Sequence, residues 1–386
     1  VRARAGPRPA RRAGPPAGAR AVIERWLERK EVCICAGSGG VGKTTTSAAV
    51  ALGMAARGRK VAVLTIDPAR RLANSLGLPE LGNEEHRVAL PGDLFEPTRR
   101  GYGLEGELWA MMLDPKRTFD EIVEWHAPDE RTRDAVLANR IYQELSNAVA
   151  GSQEYMAMEK LHELHQEGRY DLLVLDTPPT RNALDFLDAP RRLTEFVDSR
   201  TLQLFTAPAG LGLKLLGRGT GMVFSAMQRA TGIDLLADLG EFFRTFAGMT
   251  EGFRERAALV NELLADSRTA FVLVTSPRRQ ALDEAVWFHH RLMEAGLPFA
   301  GVVANRVHRA AGGSDHAELE ALLGDELAAK VMRAHADERR LAERDRAGLA
   351  ELRRRIGRKP IVEVPHLQDD VHDLDGLRRM DEHLFG

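Results

Sequence analysis

Cysteine is scarce, with only Cys33 and Cys35 in 386 residues. Two thiols one residue apart build neither a disulfide framework nor a C-x-x-C metal pair, which suits a reducing compartment such as the cytoplasm. Alternate residues of a strand share a face, so the pair reads as small buried apolar groups. Long apolar runs are also missing. No stretch of 18 apolar residues occurs, so no membrane-crossing helix is expected. Charge of one sign is absent too: the formal net charge is −2, and no nucleic-acid partner is expected. Residues 1–20 are rich in Arg, Pro, Gly and Ala but lack a hydrophobic segment. They read as a disordered leader rather than a secretory signal. No internal repeat is found.

What is present is a core-forming chain, 44% apolar, organised around Gly37-Ser38-Gly39-Gly40-Val41-Gly42-Lys43-Thr44 with Thr45 behind it. This fits G-x-x-x-x-G-K-[ST], a loop that wraps nucleotide phosphates between a strand and a helix. Glu31 to Ala36 is a short β-rich run before it, and Thr45 to Ala56 an alanine-rich helical segment after it. Glycines let several N–H groups turn toward one anion, and the helix start adds positive potential. Gly39, Gly40, Val41, Gly42, Lys43, Thr44 and Thr45 are therefore the candidate phosphate ligands. Lys43 reaches for the β- and γ-phosphates, and Thr44 for Mg²⁺.

Further strands are expected at Lys60–Ile66, Tyr170–Asp176, Ala270–Thr275, Phe299–Asn305 and Pro360–Val364. Ala21–Lys30 suggests a short leading helix, Gln280–Ala295 a crossover helix, and His316–Arg355 a charged helix. The stretch 81–103 looks loop-like, while Glu105–Gln166 reads as helices carrying Leu108, Met111 and Met112. Apolar strands separated by helices indicate a parallel sheet covered on both faces. The fold class is α/β: a mostly parallel, doubly wound sheet with helical inserts at about 104–168 and 190–264, forming one domain over 21–386.

Asp176 ends an apolar strand, where a carboxylate facing a phosphate loop holds Mg²⁺ through water and orients Thr44. Asp67 also ends a strand, so both carboxylates should reach the same sheet edge. One can serve the metal and the other the attacking water; a turn-forming Asp-Pro is the alternative for Asp67.

The phosphate loop, Thr65-Ile66-Asp67-Pro68-Ala69 and Asp176-Thr177-Pro178-Pro179-Thr180 together resemble the deviant-Walker ATPases of the arsenite-pump and tail-anchored-protein-targeting group, and most the branch described as anion-transporting ATPases. The resemblance runs from about Val32 to Leu377. It implies a P-loop NTPase fold and a nucleotide-switched dimer that binds Mg²⁺ and ATP. It also implies that Asp67 activates water in a first switch, that Asp176–Thr180 is the second switch, that Asn305 reads adenine, and that Pro365-His366-Leu367 covers the base.

Three departures stand out. Ser38 occupies the position of a lysine that reaches the partner's nucleotide. Arg181 and Asn182 replace a switch glycine and histidine. Neither the arsenite-binding cysteines nor a zinc C-x-x-C is present, which disfavours arsenite activation and zinc-clamped dimers. The reading is a cytoplasmic ATPase, homodimeric or heterodimeric, whose inserts handle a client. The alternative is a hydrolysis-poor ATP-binding subunit that completes a lysine-bearing paralogue. Partition or membrane-positioning ATPases need a DNA surface or a terminal amphipathic helix, and the tail 377–386 is too short for the latter. An iron-protein reductase lacks its cysteines. Leu235, Leu239, Phe242, Phe246, Met249 and Phe253 form a helical apolar stripe, either core or a groove for a hydrophobic client. His162, His165, His289 and His290 read as packing or surface groups.

Overall fold

The computed structural model describes residues 22–67, 70–91, 94, 106–139, 142–143, 152–177, 250–310, 316–367 and 369–386. The leader, Pro68-Ala69, Pro178 to Asn182 and the stripe residues 235–249 lie outside the described residues. So does the side chain of Phe253. The chain divides into two compact units, one of 1–112, 164–183 and 264–386, the other of 113–163 and 184–263.

The first unit holds an eight-stranded sheet in the order β3-β4-β2-β5-β1-β6-β7-β8. The strands are β1 (Val32–Ala36), β2 (Lys60–Thr65), β3 (His86–Arg87), β4 (Glu107–Met112), β5 (Leu172–Asp176), β6 (Thr269–Thr275), β7 (Phe299–Val307) and β8 (Ile361–Pro365). All neighbouring pairs are parallel except β3 with β4. The central strands β1, β5 and β6 are buried at every position. That explains their unbroken apolar sequences, since helices cover both faces of a parallel sheet. β3 is two exposed residues long, a short antiparallel strand at an edge that would otherwise invite pairing.

The helices are α1 (Val22–Leu27), α2 (Lys43–Ala56), α3 (Arg71–Ser75), α4 (Pro115–His126), α5 (Glu130–Ala138), α6 (Ser152–Glu167), α7 (Thr250–Ala265), α8 (Arg279–Glu294), α9 (His316–Leu323), α10 (Asp325–Ile356) and α11 (Leu374–Phe385). Three expectations need correction. Glu107–Met112 is a strand rather than a helix: it pairs with β2 from Lys60↔Glu107 to Thr65↔Met112. Six residues are too few for periodicity to separate the two structures. The stretch 81–103 contains β3, which belongs to the sheet. The helix expected over 316–355 breaks at Gly324, whose φ of 75° ends α9 before α10 begins.

The tail 377–386 belongs to α11, whose Leu377, Met380, Leu384 and Phe385 are buried. Its N-cap Asp373 accepts from Gly376 N–H at 2.7 Å. α11 packs on α2, the helix that follows the phosphate loop. Gly53 permits the contact, since a Cβ there would sit 2.2 Å from Asp381 Oδ1 and 2.4 Å from the Phe385 ring. Arg57, the C-cap of α2, pairs with Asp381 at 3.1 Å, and its guanidinium lies 4.0 Å from the Phe385 ring centroid.

In the second unit, Tyr155 Oη donates to the buried Glu159 at 3.1 Å, and Arg256 pairs with the same carboxylate. Lys160 bridges Glu121 at 3.3 Å and Glu163 at 3.0 Å. These are satisfied buried charges, the form in which such groups persist inside proteins. No helix among the described residues is long and apolar enough to cross a membrane.

Candidate functional site

The loop 37–42 leaves the C-terminal end of β1 and turns into α2 at Gly42, which has φ 92° and caps the helix. A Cβ on Gly42 would lie 2.3 Å from Asn305 Nδ2, so the close approach of β7 to the loop requires glycine there. α2 begins at Lys43, two residues earlier than its alanine-rich composition suggested. The first-turn N–H groups that a helix leaves without intrahelical partners therefore lie at the junction of loop and helix.

Lys43 is 6% exposed. Its Nζ donates back across the loop to the Ser38 carbonyl at 3.0 Å. Burial holds its pKa below the ordinary lysine value, against the attraction of Asp176 and Asp67. Asp176, 1% exposed at the end of β5, is the opposing buried charge. Thr65 Oγ1 donates to Asp176 Oδ2 at 3.0 Å. The nearby Thr44 hydroxyl favours the charged form of this carboxyl, and Ser47 Oγ approaches Oδ1 at 3.5 Å while donating to the Lys43 carbonyl at 2.9 Å. Burial nonetheless pushes the Asp176 pKa up to about 6, with the Thr44 and Thr65 bonds and the Lys43 charge pulling the other way. The next residue, Thr177, turns its hydroxyl onto the Cys35 carbonyl at 2.9 Å, tying β5 to β1 beyond the ladder.

Asp67 follows β2 at the same sheet edge. Its N–H donates to Thr65 Oγ1 at 3.2 Å, and its carboxylate stands 3.8 Å from Arg71. It lines a cavity of about 200 Å³ with Thr65, Arg70, Glu80 and Met112. Arg70, which pairs with Glu80 at 3.3 Å, holds a positive φ of 52°.

On the other side of the loop, Asn305 Nδ2 donates to the Val41 carbonyl at 2.9 Å, and its Oδ1 accepts from Arg306 N–H at 2.9 Å. Arg306 Nη1 donates to the Gly40 carbonyl at 3.1 Å. Beside them lies a cavity of about 330 Å³, lined by Gly42, Thr45, Asn305, Arg306, Pro365, His366 and Asp370 among others. His366 stacks on His308, with centroids 5.1 Å apart, and His308 Nδ1 meets the buried Asp345 at 2.7 Å.

The structure thus gathers every candidate site residue at the C-terminal ends of β1, β2, β5, β7 and β8, where open α/β sheets bind ligands. It adds Ser47 and Arg306, which motif reading did not select, and gives contacts to Thr65 and Thr177, which the motifs contained without a role of their own. Their signal is a position next to a strand end or one helical turn into α2. His289 is buried and His165 pairs with Glu31 at 2.9 Å, so these histidines pack or pair as expected. Cys33 and Cys35 are both buried in β1 as free thiols.

Comparison with known proteins agrees with this geometry. The chain is 25% identical over 369 residues to an ATPase GET3 of Malassezia globosa, covering 94% of both chains. It is 26% identical over 279 residues to a putative arsenical pump-driving ATPase 1 of Aquifex aeolicus, covering 72% of this chain and 63% of that protein. A shorter match, 30% over 197 residues, is to a putative arsenical pump-driving ATPase of Halobacterium salinarum, covering 48% of this chain and 28% of that one. The profile of one family, described as Anion-transporting ATPase, matches residues 30–326. The fold, the loop and this match agree: the chain belongs to the anion-transporting ATPase family.

Proposed function

We propose that the chain binds Mg²⁺·ATP at the loop 37–45 and hydrolyses it, acting as a nucleotide-switched dimer whose inserts engage a client or partner. The observation that carries this is the pairing of two buried opposite charges at one sheet edge. Burial depresses the pKa of Lys43 and raises that of Asp176. An anion brought to Lys43 and a cation brought to Asp176 relieve both penalties at once. A metal-bound polyphosphate supplies both charges, so these residues fit the group.

Thr44 and Asp176 would hold the magnesium ion, which supplies charge neutralisation on the phosphate chain. The residues of the chain do the rest. The backbone N–H groups of 39–45 orient the phosphates, and Lys43 draws charge toward the leaving side. Thr65 and Ser47 keep the Asp176 carboxylate turned toward the loop. Asp67 orients a water at the sheet edge. Asn305 and Pro365 flank the cavity that receives the base. A cytoplasmic setting, which supplies nucleotide and keeps Cys33 and Cys35 reduced, fits this reading. So do the names of the relatives, which are called ATPases.

A second reading rests on Ser38. The loop lacks a lysine there, and a cation supplied in trans is worth roughly 10³–10⁵ in rate in related phosphoryl transfer. In that reading the chain binds ATP, turns it over poorly alone, and completes a lysine-bearing paralogue in a heterodimer. The test is the steady-state ATPase rate of the purified chain beside Lys43→Ala. Turnover on the order of 1 s⁻¹ that vanishes in the variant supports the working enzyme. ATP binding with almost no turnover supports the heterodimer subunit, and absence of ATP binding overturns both.

A further inference from the structure

Arg306 is held in a conformation that L residues rarely adopt. Its φ is 61°, and Arg70 is the only other non-glycine residue with positive φ among the described residues. β-branched and long side chains avoid this region, and strain of this kind gathers at functional sites. The cause is visible in the ladder. The pairing of β7 with β8 shifts register between Ala304 and Val307, so Asn305 and Arg306 fall in an irregularity that breaks the strand's alternation. Such irregularities re-aim side chains. Here both consecutive side chains turn onto consecutive carbonyls of the phosphate loop: Asn305 onto Val41 and Arg306 onto Gly40, at 2.9 and 3.1 Å.

Asn305 is buried, but Arg306 is exposed and lines the cavity of about 330 Å³ beside Gly42 and Thr45. The Gly40 carbonyl takes only one bond from a guanidinium that carries five N–H donors in a planar fork. A neutral carbonyl does not balance its charge. Fixing an arginine in this conformation for one backbone bond is an unfavourable exchange. It becomes favourable if the fork also meets an anion at the cavity mouth.

The geometry points to Arg306 as a phosphate-binding residue of this site, contacting the polyphosphate of a nucleotide bound in the same chain, between the base cavity and the loop. This rests on the nucleotide reading above. The bulge is the device that places it, and its guanidinium bonds the Gly40 carbonyl where Lys43 bonds that of Ser38. The loop, which carries serine rather than a cation at position 38, thereby gains a second fixed positive charge from β7. A planar bidentate donor suits phosphate oxygens.

The test measures equilibrium binding of ATP, ADP and AMP to the full chain, wild type and variants, by calorimetry. Arg306→Ala should weaken ATP about tenfold, the size expected for losing hydrogen bonds to a charged group. ADP should follow, and AMP should change least, because the effect scales with phosphate charge. Arg306→Lys should retain most of the affinity, and Arg306→Gln should bind as poorly as alanine. Glutamine can still bond the Gly40 carbonyl but carries no charge. Rescue by glutamine, or equal losses for ATP and AMP, would assign Arg306 to loop positioning and overturn the inference. If the wild type binds ATP and all three variants match it, only this inference fails. If the wild type does not bind ATP, the nucleotide reading fails first and takes this one with it.

Discussion

Thr65 and Asp176 face each other across β2 and β5 in register, and the threonine hydroxyl donates to the carboxylate at 3.0 Å. The same oxygen accepts the Asp67 N–H. One hydroxyl therefore ties the Asp176 carboxylate to the backbone of Asp67, the two acidic residues that the sequence singled out.

Removing that hydroxyl should separate binding from turnover. In Thr65→Val the strand keeps a β-branched residue of similar shape, while Asp176 loses a donor and Asp67 its anchor. The nucleotide Kd should stay within about threefold while kcat falls about tenfold, the scale of one hydrogen bond to a charged group. Parallel measurement of ATP affinity and steady-state rate checks this. An equal loss in both would mean that Thr65 serves only the fold.

Gly42 and Gly40 both have positive φ, yet alanine should be tolerated very differently at the two positions. At Gly40 a Cβ meets nothing within 4 Å, and only the backbone strain remains, about 1–2 kcal/mol. At Gly42 it would press on Asn305 Nδ2 at 2.3 Å, breaking the bond to Val41. Gly40→Ala should bind ATP with modest loss, and Gly42→Ala should lose binding while still folding. Circular dichroism and calorimetry on both variants decide it.

Asp381 gives the fold a pH dependence. Burial raises its pKa from 3.8 to about 6, opposed by Arg57 and Arg378 and reinforced by Glu382; Glu24 stands 3.9 Å from Arg57 on the far side. A carboxyl with a raised folded-state pKa stabilises the fold below its unfolded value, and that contribution is lost as pH rises through the folded value. The window is therefore about pH 4 to 6. Asp381→Asn removes this titration, so the stability difference between variant and wild type should move in the variant's favour by about 1 kcal/mol between pH 5 and 7. Denaturant melts at the two pH values measure it, and parallel curves would discard the account.

Ser38→Lys tests the missing charge directly. The Ser38 carbonyl that receives Lys43 is a backbone atom and survives the change. The Ser38 hydroxyl is buried with no hydrogen-bond partner among the described residues, so its removal breaks no bond seen there. If the second reading is right, turnover of the purified chain should rise at least tenfold, a small part of the range that a trans cation commands. An unchanged rate would leave the wild-type loop sufficient as it stands.

The phosphate loop was legible because its chemistry is compressed into eight consecutive residues. The strands β1, β5 and β6 were legible because full burial writes an unbroken apolar run. β4 was not, because E-L-W-A-M-M has an apolar face under either periodicity, and only pairing with β2 decides. The contacts of Thr65 and Ser47 with Asp176 were not legible for a related reason. Their role depends on which strand lies beside β5 and on the first turn of α2, neither of which is encoded locally. Arg306 was hidden by the bulge, since a regular strand would have alternated it away from Asn305. Asn305, which the resemblance implies reads a base, lines the cavity beside the loop, donates Nδ2 to the Val41 carbonyl and accepts the Arg306 N–H on Oδ1.

Arg57 and Asp381, which lock α2 against α11, are 324 residues apart in the chain. A ribosome adding roughly 5–20 residues per second delivers α11 roughly 15–65 s after α2. During that interval the helix that carries Lys43 and Thr44 has its loop but not its clamp, and the Gly53 face of α2 stands uncovered. The nascent protein must therefore wait for 324 further residues before this clamp on α2 can close. Chaperone protection over that interval, rather than early local folding, is the need this topology creates.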